Sequence, residues 1–132
     1  MSDGAARPVP RLGLEAREVA RVNSAWRVRW RVTNENAEPV RLVAVRAPHG
    51  RFHADAVDLN LVVADSTAVD QTLRIEAAPG EELTDASVVF VVVLERETWR
   101  IVFRVRVRLA PDGTAAPVAE AMTADRMALG EV

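Results

Sequence analysis

Apolar and polar residues alternate along two stretches of the chain. From Trp26 to Val32 apolar side chains alternate with arginines, and the same pattern returns from Trp99 to Leu109, interrupted only by Val102. A β-strand places successive side chains on opposite faces, so each stretch is predicted to be a strand with one buried face and one arginine face. A helix would spread both sets around its circumference. We therefore expect Trp26, Trp30 and Trp99 in the core.

Less regular runs predict further strands. They are Leu12–Val22, with an irregularity near Arg17 and Glu18, Val40–Ala47, Val57–Val63, Val69–Ile75 and Ala86–Leu94. Val40–Ala47 and Ala86–Leu94 are apolar on both faces, so we expect both faces of these two strands to be covered.

Turn residues separate the runs and set the fold class. They stand at Asn34–Pro39, Pro48–Gly50, Ala78–Gly80, Glu95–Thr98 and Pro111–Gly113. The short link Glu95–Thr98 predicts a hairpin. Short strands at this spacing predict an all-β, immunoglobulin-like antiparallel sandwich of about seven strands over residues 12–110.

The two ends are expected to lie outside that sandwich. Residues 1–11 are polar and contain proline, which predicts a disordered or extended N-terminus. Residues 111–132 form a C-terminal tail in which Pro117 could begin a short helix, with Val118, Met122 and Leu129 along one stripe. A docked short helix and a frayed tail both stay open.

Composition narrows the function classes. The chain has 132 residues, no cysteine and a net charge of −2, and all 17 basic residues are arginine. One domain is expected, without disulfides or thiolate chemistry, and with no basic field to draw nucleic acid. No apolar run is long enough to span a membrane and Met1–Pro10 has no signal-peptide pattern, so we expect a cytoplasmic protein.

One segment resembles known bacterial domains. A strand ends in Val32-Thr33-Asn34, a polar loop follows, and Pro39-Val40-Arg41-Leu42 opens the next strand; Pro79-Gly80 precedes a later one. This pattern resembles the water-stress domains of late-embryogenesis-abundant proteins, the bacterial intracellular proteinase inhibitor and other bacterial immunoglobulin-like domains. The resemblance implies an immunoglobulin-like fold. It implies no function, because such folds host many roles and no inhibitory loop can be matched.

The arginines of the two alternating strands are the first candidate site. They are Arg27, Arg29, Arg31, Arg100, Arg104, Arg106 and Arg108. If the two strands share a sheet face, opposed like charges need compensation. Acidic residues of neighbouring strands could supply it: Glu15, Glu18, Asp70, Glu76 or Glu95. The alternatives are a solvated, ion-paired face and a docking face for an acidic protein surface.

The second candidate is a loop that holds both histidines. It contains His49, Arg51, Phe52 and His53, and Phe52 is expected to anchor it by packing. His49, His53 and Asp55 could contribute to a metal site, although two imidazoles without cysteine make a sparse donor set. An ordinary surface loop is the alternative.

Catalytic patterns are weak in this chain. Cysteine, tyrosine and lysine are absent, and Ser24, Ser66 and Ser87 lack the G-x-S-x-G context of a nucleophile elbow. We therefore expect no enzyme and no cofactor, but a non-catalytic protein-interaction or accessory module. A homodimer through a sheet face is open. The alternatives are a small metal- or ligand-binding protein that uses the His49/His53 loop, and a stress-protective protein.

Overall fold

The chain folds into antiparallel β-strands. The computed structural model describes residues 9–128, and within that range it contains eight strands and no helix. The strands are β1 (Leu12–Val22), β2 (Ala25–Asn34), β3 (Val40–His49), β4 (Phe52–Val63), β5 (Ser66–Ile75), β6 (Glu82–Leu94), β7 (Glu97–Leu109) and β8 (Ala115–Arg126).

The strands form a nearly closed, barrel-like sheet in the order β1-β2-β5-β4-β3-β6-β7-β8. Its two ends approach one another, because the backbone N–H of Leu12 on β1 donates to Sδ of Met122 on β8 at 3.4 Å. The weakest internal junction lies between β4 and β5, which share only the register pairs Phe52–Ile75 and His53–Arg74.

The alternation predicted for β2 and β7 is confirmed. Trp26, Trp30 and Trp99 are 7%, 0% and 8% exposed and belong to one continuous core. The arginines between them point outward. Burial of these large rings supplies much of the apolar stabilisation, because each aromatic side chain removes a large area from water.

A polar pair lies inside this core. Gln71 on β5 is buried and accepts a hydrogen bond from Nε1 of Trp30 at 2.9 Å. Nε2 of Gln71 and Nε1 of Trp99 have no hydrogen-bond acceptor among the described residues. Since a buried donor without an acceptor is costly, Gln71 is tolerated chiefly as the partner of the Trp30 indole.

The predicted hairpin between β6 and β7 is confirmed, with Leu94 opposite Glu97. Its two turn residues, Glu95 and Arg96, have positive φ values of 49° and 71°. Two successive residues with positive φ are the mark of a type I′ turn, whose twist matches that of the flanking strands.

The C-terminal helix expected from residue 111 onward is wrong, and the strand count is eight. Residues 115–126 form β8, which pairs with β7 along its length. Its small alanines have helical propensity and give a faint alternation, but pairing with β7 overrides that preference. Leu129 and residues 1–8 of the predicted N-terminal segment lie outside the described residues.

Candidate functional site

The two arginine rows lie on strands that are not neighbours. Arg27, Arg29 and Arg31 are on β2; the others, Arg100, Arg104, Arg106 and Arg108, are on β7. In one direction β1 and β8 separate these strands, and in the other direction four strands do. The structure therefore does not bring the two rows onto one face. Local alternation cannot reveal this, because strand order depends on pairings that are distant in sequence.

On β2, Arg29 has acidic partners, whereas Arg27 and Arg31 make no ion pair within residues 9–128. Nε of Arg29 donates to Oδ1 of Asp70 at 2.9 Å, and Nη1 lies 3.3 Å from Oε2 of Glu18. The hydrogen bond from Arg29 lowers the pKa of Asp70, and the same bond raises the pKa of Arg29. The compensation expected from Glu18 and Asp70 is thus present. Glu15 pairs instead with Arg17.

The row on β7 divides into two halves. Arg106 pairs with Glu120 at 2.9 Å, and Arg108 pairs with Glu82 at 3.3 Å. Arg100 and Arg104 make no ion pair within residues 9–128, although Asp125 lies opposite Arg100 in the register. The unpaired half of the row lies beside the middle of β6.

Valines and arginines share the outward face of β3, β6 and β7. Residues directly opposite in an antiparallel pair point to the same side of a sheet. Val91 has Arg100 opposite it on β7, and Val89 lies between Arg46 on β3 and Val102 on β7. We name this surface the valine–arginine face; it comprises Arg41, Arg46, Val89, Val91, Val93, Arg100, Val102 and Arg104.

The valine–arginine face is only partly covered, because Val89 is 3% exposed but its valine neighbours are not buried. Val91, Val93 and Val102 are only half-buried, whereas the inward Val92 is fully buried. The cover expected on both faces of Ala86–Leu94 is therefore complete on the inner face and only partial on the outer one. A shallow groove of about 240 Å³ crosses it; the groove is lined by Val43, Ala44, Val45, Arg46, Ala56, Asp58, Val89 and Val91.

The histidines occupy the turn between β3 and β4 but do not converge on a common point. Nε2 of His49 lies 3.3 Å from Oδ1 of Asp85, while Nε2 of His53 lies 3.1 Å from Oδ1 of Asp55. Nδ1 of His49 accepts a hydrogen bond from the backbone N–H of Arg51. In the described part of the chain, no three acidic, histidine or cysteine side chains are grouped to hold a metal ion. His49 thus links the end of β3 to β6, whereas His53 pairs with a carboxylate of its own strand, β4.

Arg51 and Phe52 give this turn a structural role. Arg51 donates from Nε to the carbonyl of Glu76 at 2.8 Å and from Nη2 to Oε2 of Glu81 at 2.7 Å. The pKa of Glu81 is lowered by a hydrogen bond from the N–H of Ala78 and by Arg51. Phe52 is completely buried. The turn is thereby tied to the link between β5 and β6, and Phe52 anchors it as expected.

An amide cluster at the opposite end of the molecule was not anticipated from sequence. Nδ2 of Asn34 contacts the carbonyl oxygens of Glu38, Val63 and Ala64 at 2.9, 3.0 and 3.2 Å. Oδ1 of Asn34 accepts from the N–H of Asn36. The Asn34–Pro39 loop was predicted from the backbone tolerance of asparagine, whereas its side chain is what joins β2 to the β4–β5 link.

Comparison with known proteins identifies no relative. No family model, no curated protein and no solved structure matches the chain. Within residues 9–128 no helix is long and apolar enough to cross a membrane.

Proposed function

We propose that this chain is a non-catalytic protein-interaction module that binds an acidic protein surface through its valine–arginine face. One observation carries the proposal: four guanidinium groups without an ion pair in residues 9–128 surround outward valines, of which Val91, Val93 and Val102 stay half-buried. The four are Arg41, Arg46, Arg100 and Arg104.

The chemistry of this face favours a protein partner with carboxylates. Guanidinium forks match carboxylates in geometry, and their stems extend the apolar surface around a desolvated centre. Nearby carboxylates are fewer than the arginines: Asp58 lies opposite Ala44, and Asp125 lies opposite Arg100. An apolar centre with a charged rim is the usual anatomy of a protein interface. A partner of opposite charge would gain both association rate and specificity.

We also propose that the strands form an immunoglobulin-like sandwich to which β8 is added, and that the protein acts in the cytoplasm. The pairing pattern supports the sandwich, because β1-β2-β5 and β4-β3-β6-β7-β8 are continuous ladders with a junction of only two register pairs.

The test is capture from the extract of the native cells with immobilised full-length protein. The partner should bind the wild type, and its affinity should fall about tenfold or more in Arg100→Ala/Arg104→Ala and with rising salt. Val91→Arg should abolish binding by placing a charge at the apolar centre. The matched control is Arg27→Ala/Arg31→Ala on β2, which should bind as the wild type does.

Two outcomes would overturn the proposal. In one, the β2 variant loses the partner and the β7 variant keeps it. In the other, sedimentation shows a dimer that Val91→Arg dissociates, in which case a second copy of the chain occupies the face. Urea unfolding of each variant separates lost binding from lost folding.

A further inference from the structure

The junction between β4 and β5 contains an open seam. The two strands pair at Phe52–Ile75 and His53–Arg74, and the link Ala64–Asp65 joins their other ends. Between these points β4 pairs only with β3, and β5 pairs only with β2. Each strand therefore presents one free edge of backbone N–H and C=O groups along the seam.

Side chains that point inward reach solvent through this seam. Val57 and Leu61 of β4 lie opposite Val45 and Leu42 of β3 and so point to the same side of the sheet. Val45 and Leu42 are 1% and 0% exposed, but Val57 and Leu61 are 48% and 36% exposed. The difference arises because no strand lies between β4 and β5 to cover the inner side of β4.

The edge of β5 is the better template for an added strand. Its register with β2 is continuous from Ser66 to Leu73. The register of β4 shifts twice, and its Asn60 has a φ of 52°. Bulges of this kind protect an edge from pairing, whereas an unbroken edge accepts another strand.

The rim of the seam is acidic. Asp58 on β4 and Asp65 in the link make no ion pair within the described range, and Asp55 interacts with His53. Asp70 on β5 is shared with Arg29, and Arg74 pairs with Glu76. Within β4, β5 and their link, the charge left without an ion pair is thus negative, whereas the arginines without a partner lie one strand away, on β2 and β3.

We propose that this seam binds an extended segment of a partner protein in which apolar residues alternate with lysine or arginine. The segment adds to the edge of β5 as a strand, its apolar side chains cover Val57 and Leu61, and its basic side chains face the aspartates. This is β-strand addition, in which main-chain bonds supply affinity and alternate side chains supply specificity. Asp58 borders both this seam and the groove of the valine–arginine face. The two sites differ in the strands that bind and in the charge of the partner, so either proposal can fail alone.

The probe is a synthetic peptide of about eight residues with alternating valine and lysine, since a strand spans roughly 26 Å at that length. Titration into ¹⁵N-labelled protein should shift the signals of residues 55–61 and 66–73, and amides on the free edge of β5 should become protected from hydrogen exchange. A peptide with glutamate in place of lysine should bind about tenfold more weakly or worse.

Two variants locate the site. Val57→Lys and Leu61→Lys should each weaken binding of the valine–lysine peptide about tenfold. The matched control is Val118→Lys, because Val118 on β8 is similarly exposed, at 56%, and lies away from the seam. Both seam positions are already solvent-accessible, and circular dichroism checks that each variant folds.

Three results would overturn the proposal. The β5 edge amides could already be protected in the free monomer, which would mean that the chain itself covers the seam. The protein could instead self-associate through the seam and lose this association in Val57→Lys. Finally, the peptide could bind Val57→Lys and Val118→Lys equally.

Discussion

Asn34→Ala is the substitution whose effect follows most directly from the structure. The side chain joins the end of β2 to the β4–β5 link and to its own loop, through Nδ2 contacts with Glu38, Val63 and Ala64. Alanine removes these contacts together with the oxygen that accepts from Asn36. The free energy of unfolding should therefore fall.

The magnitude can be worked from the contacts. The Nδ2 group has two protons for three carbonyl contacts, so it makes about two full hydrogen bonds, and the oxygen accepts two more, from the backbone N–H and from Nδ2 of Asn36. Each bond contributes roughly 1 kcal/mol net, and the part-buried carbonyl of Val63 loses its donor. We therefore expect the free energy of unfolding to fall by about 2–4 kcal/mol. That is a large share of the roughly 5–15 kcal/mol of a typical domain.

Urea unfolding followed by tryptophan fluorescence is the assay. With a slope of about 2 kcal/mol/M, the urea midpoint should fall by about 1–2 M for Asn34→Ala. The midpoint of Asn34→Asp should be as low as that of Asn34→Ala or lower, because the substitution replaces the donor with a carboxylate oxygen that faces three carbonyls. Asn36→Ala is the milder control: it loses the bonds to the backbone of Arg11 and one bond to Oδ1 of Asn34, but keeps the three carbonyl contacts of Asn34. A wild-type midpoint in Asn34→Asp would refute this reasoning.

Three other predictions concern the core, the β2 ion pair and the hairpin. Gln71→Leu should lower the free energy of unfolding by about 1–3 kcal/mol, because Nε1 of Trp30 loses its acceptor. In urea unfolding, the double variant Gln71→Leu/Trp30→Phe should lose less stability than the two single variants together. The pKa of Asp70 lies below its ordinary 3.8. The ionised Asp70 therefore stabilises the fold above about pH 4, and this stability is lost as the pH falls through the lowered pKa. An NMR titration of Arg29→Gln should show a higher pKa for Asp70. Arg96→Gly should stabilise the protein by about 1 kcal/mol in thermal unfolding, because the φ of this position is 71°.

Large residues made β2 and β7 predictable. Trp26, Trp30 and Phe103 alternate with arginines, and any other secondary structure would expose them. β8 was missed because its alternation rests on small residues such as Ala119, whose burial contributes little and whose helical propensity is high. Where the apolar side chains are small, pairing with a neighbouring strand decides whether the segment forms a strand or a helix.

The candidate surfaces were only half predictable. Arg100 and Arg104 were singled out by alternation, but their separation from the β2 row follows from strand order. Arg41 and Arg46 were missed, although each occupies an outward position of a strand predicted to be apolar on both faces. Their spacing of five residues hid this, because strict alternation would place them on opposite faces; the register shift between Leu42 and Ala44 turns both outward. The seam has no local signature at all, because it depends on where β4 and β5 diverge.

Arginine-specific footprinting of the complex with the captured partner tests the central proposal most directly. Phenylglyoxal modification, read by mass spectrometry with and without the partner, reports the accessibility of each guanidinium separately. The partner should protect Arg46, Arg100 and Arg104 from modification, while Arg27 and Arg31 should stay as reactive as in the free protein. Protection of the β2 arginines with unchanged reactivity at Arg100 and Arg104 would contradict the proposal.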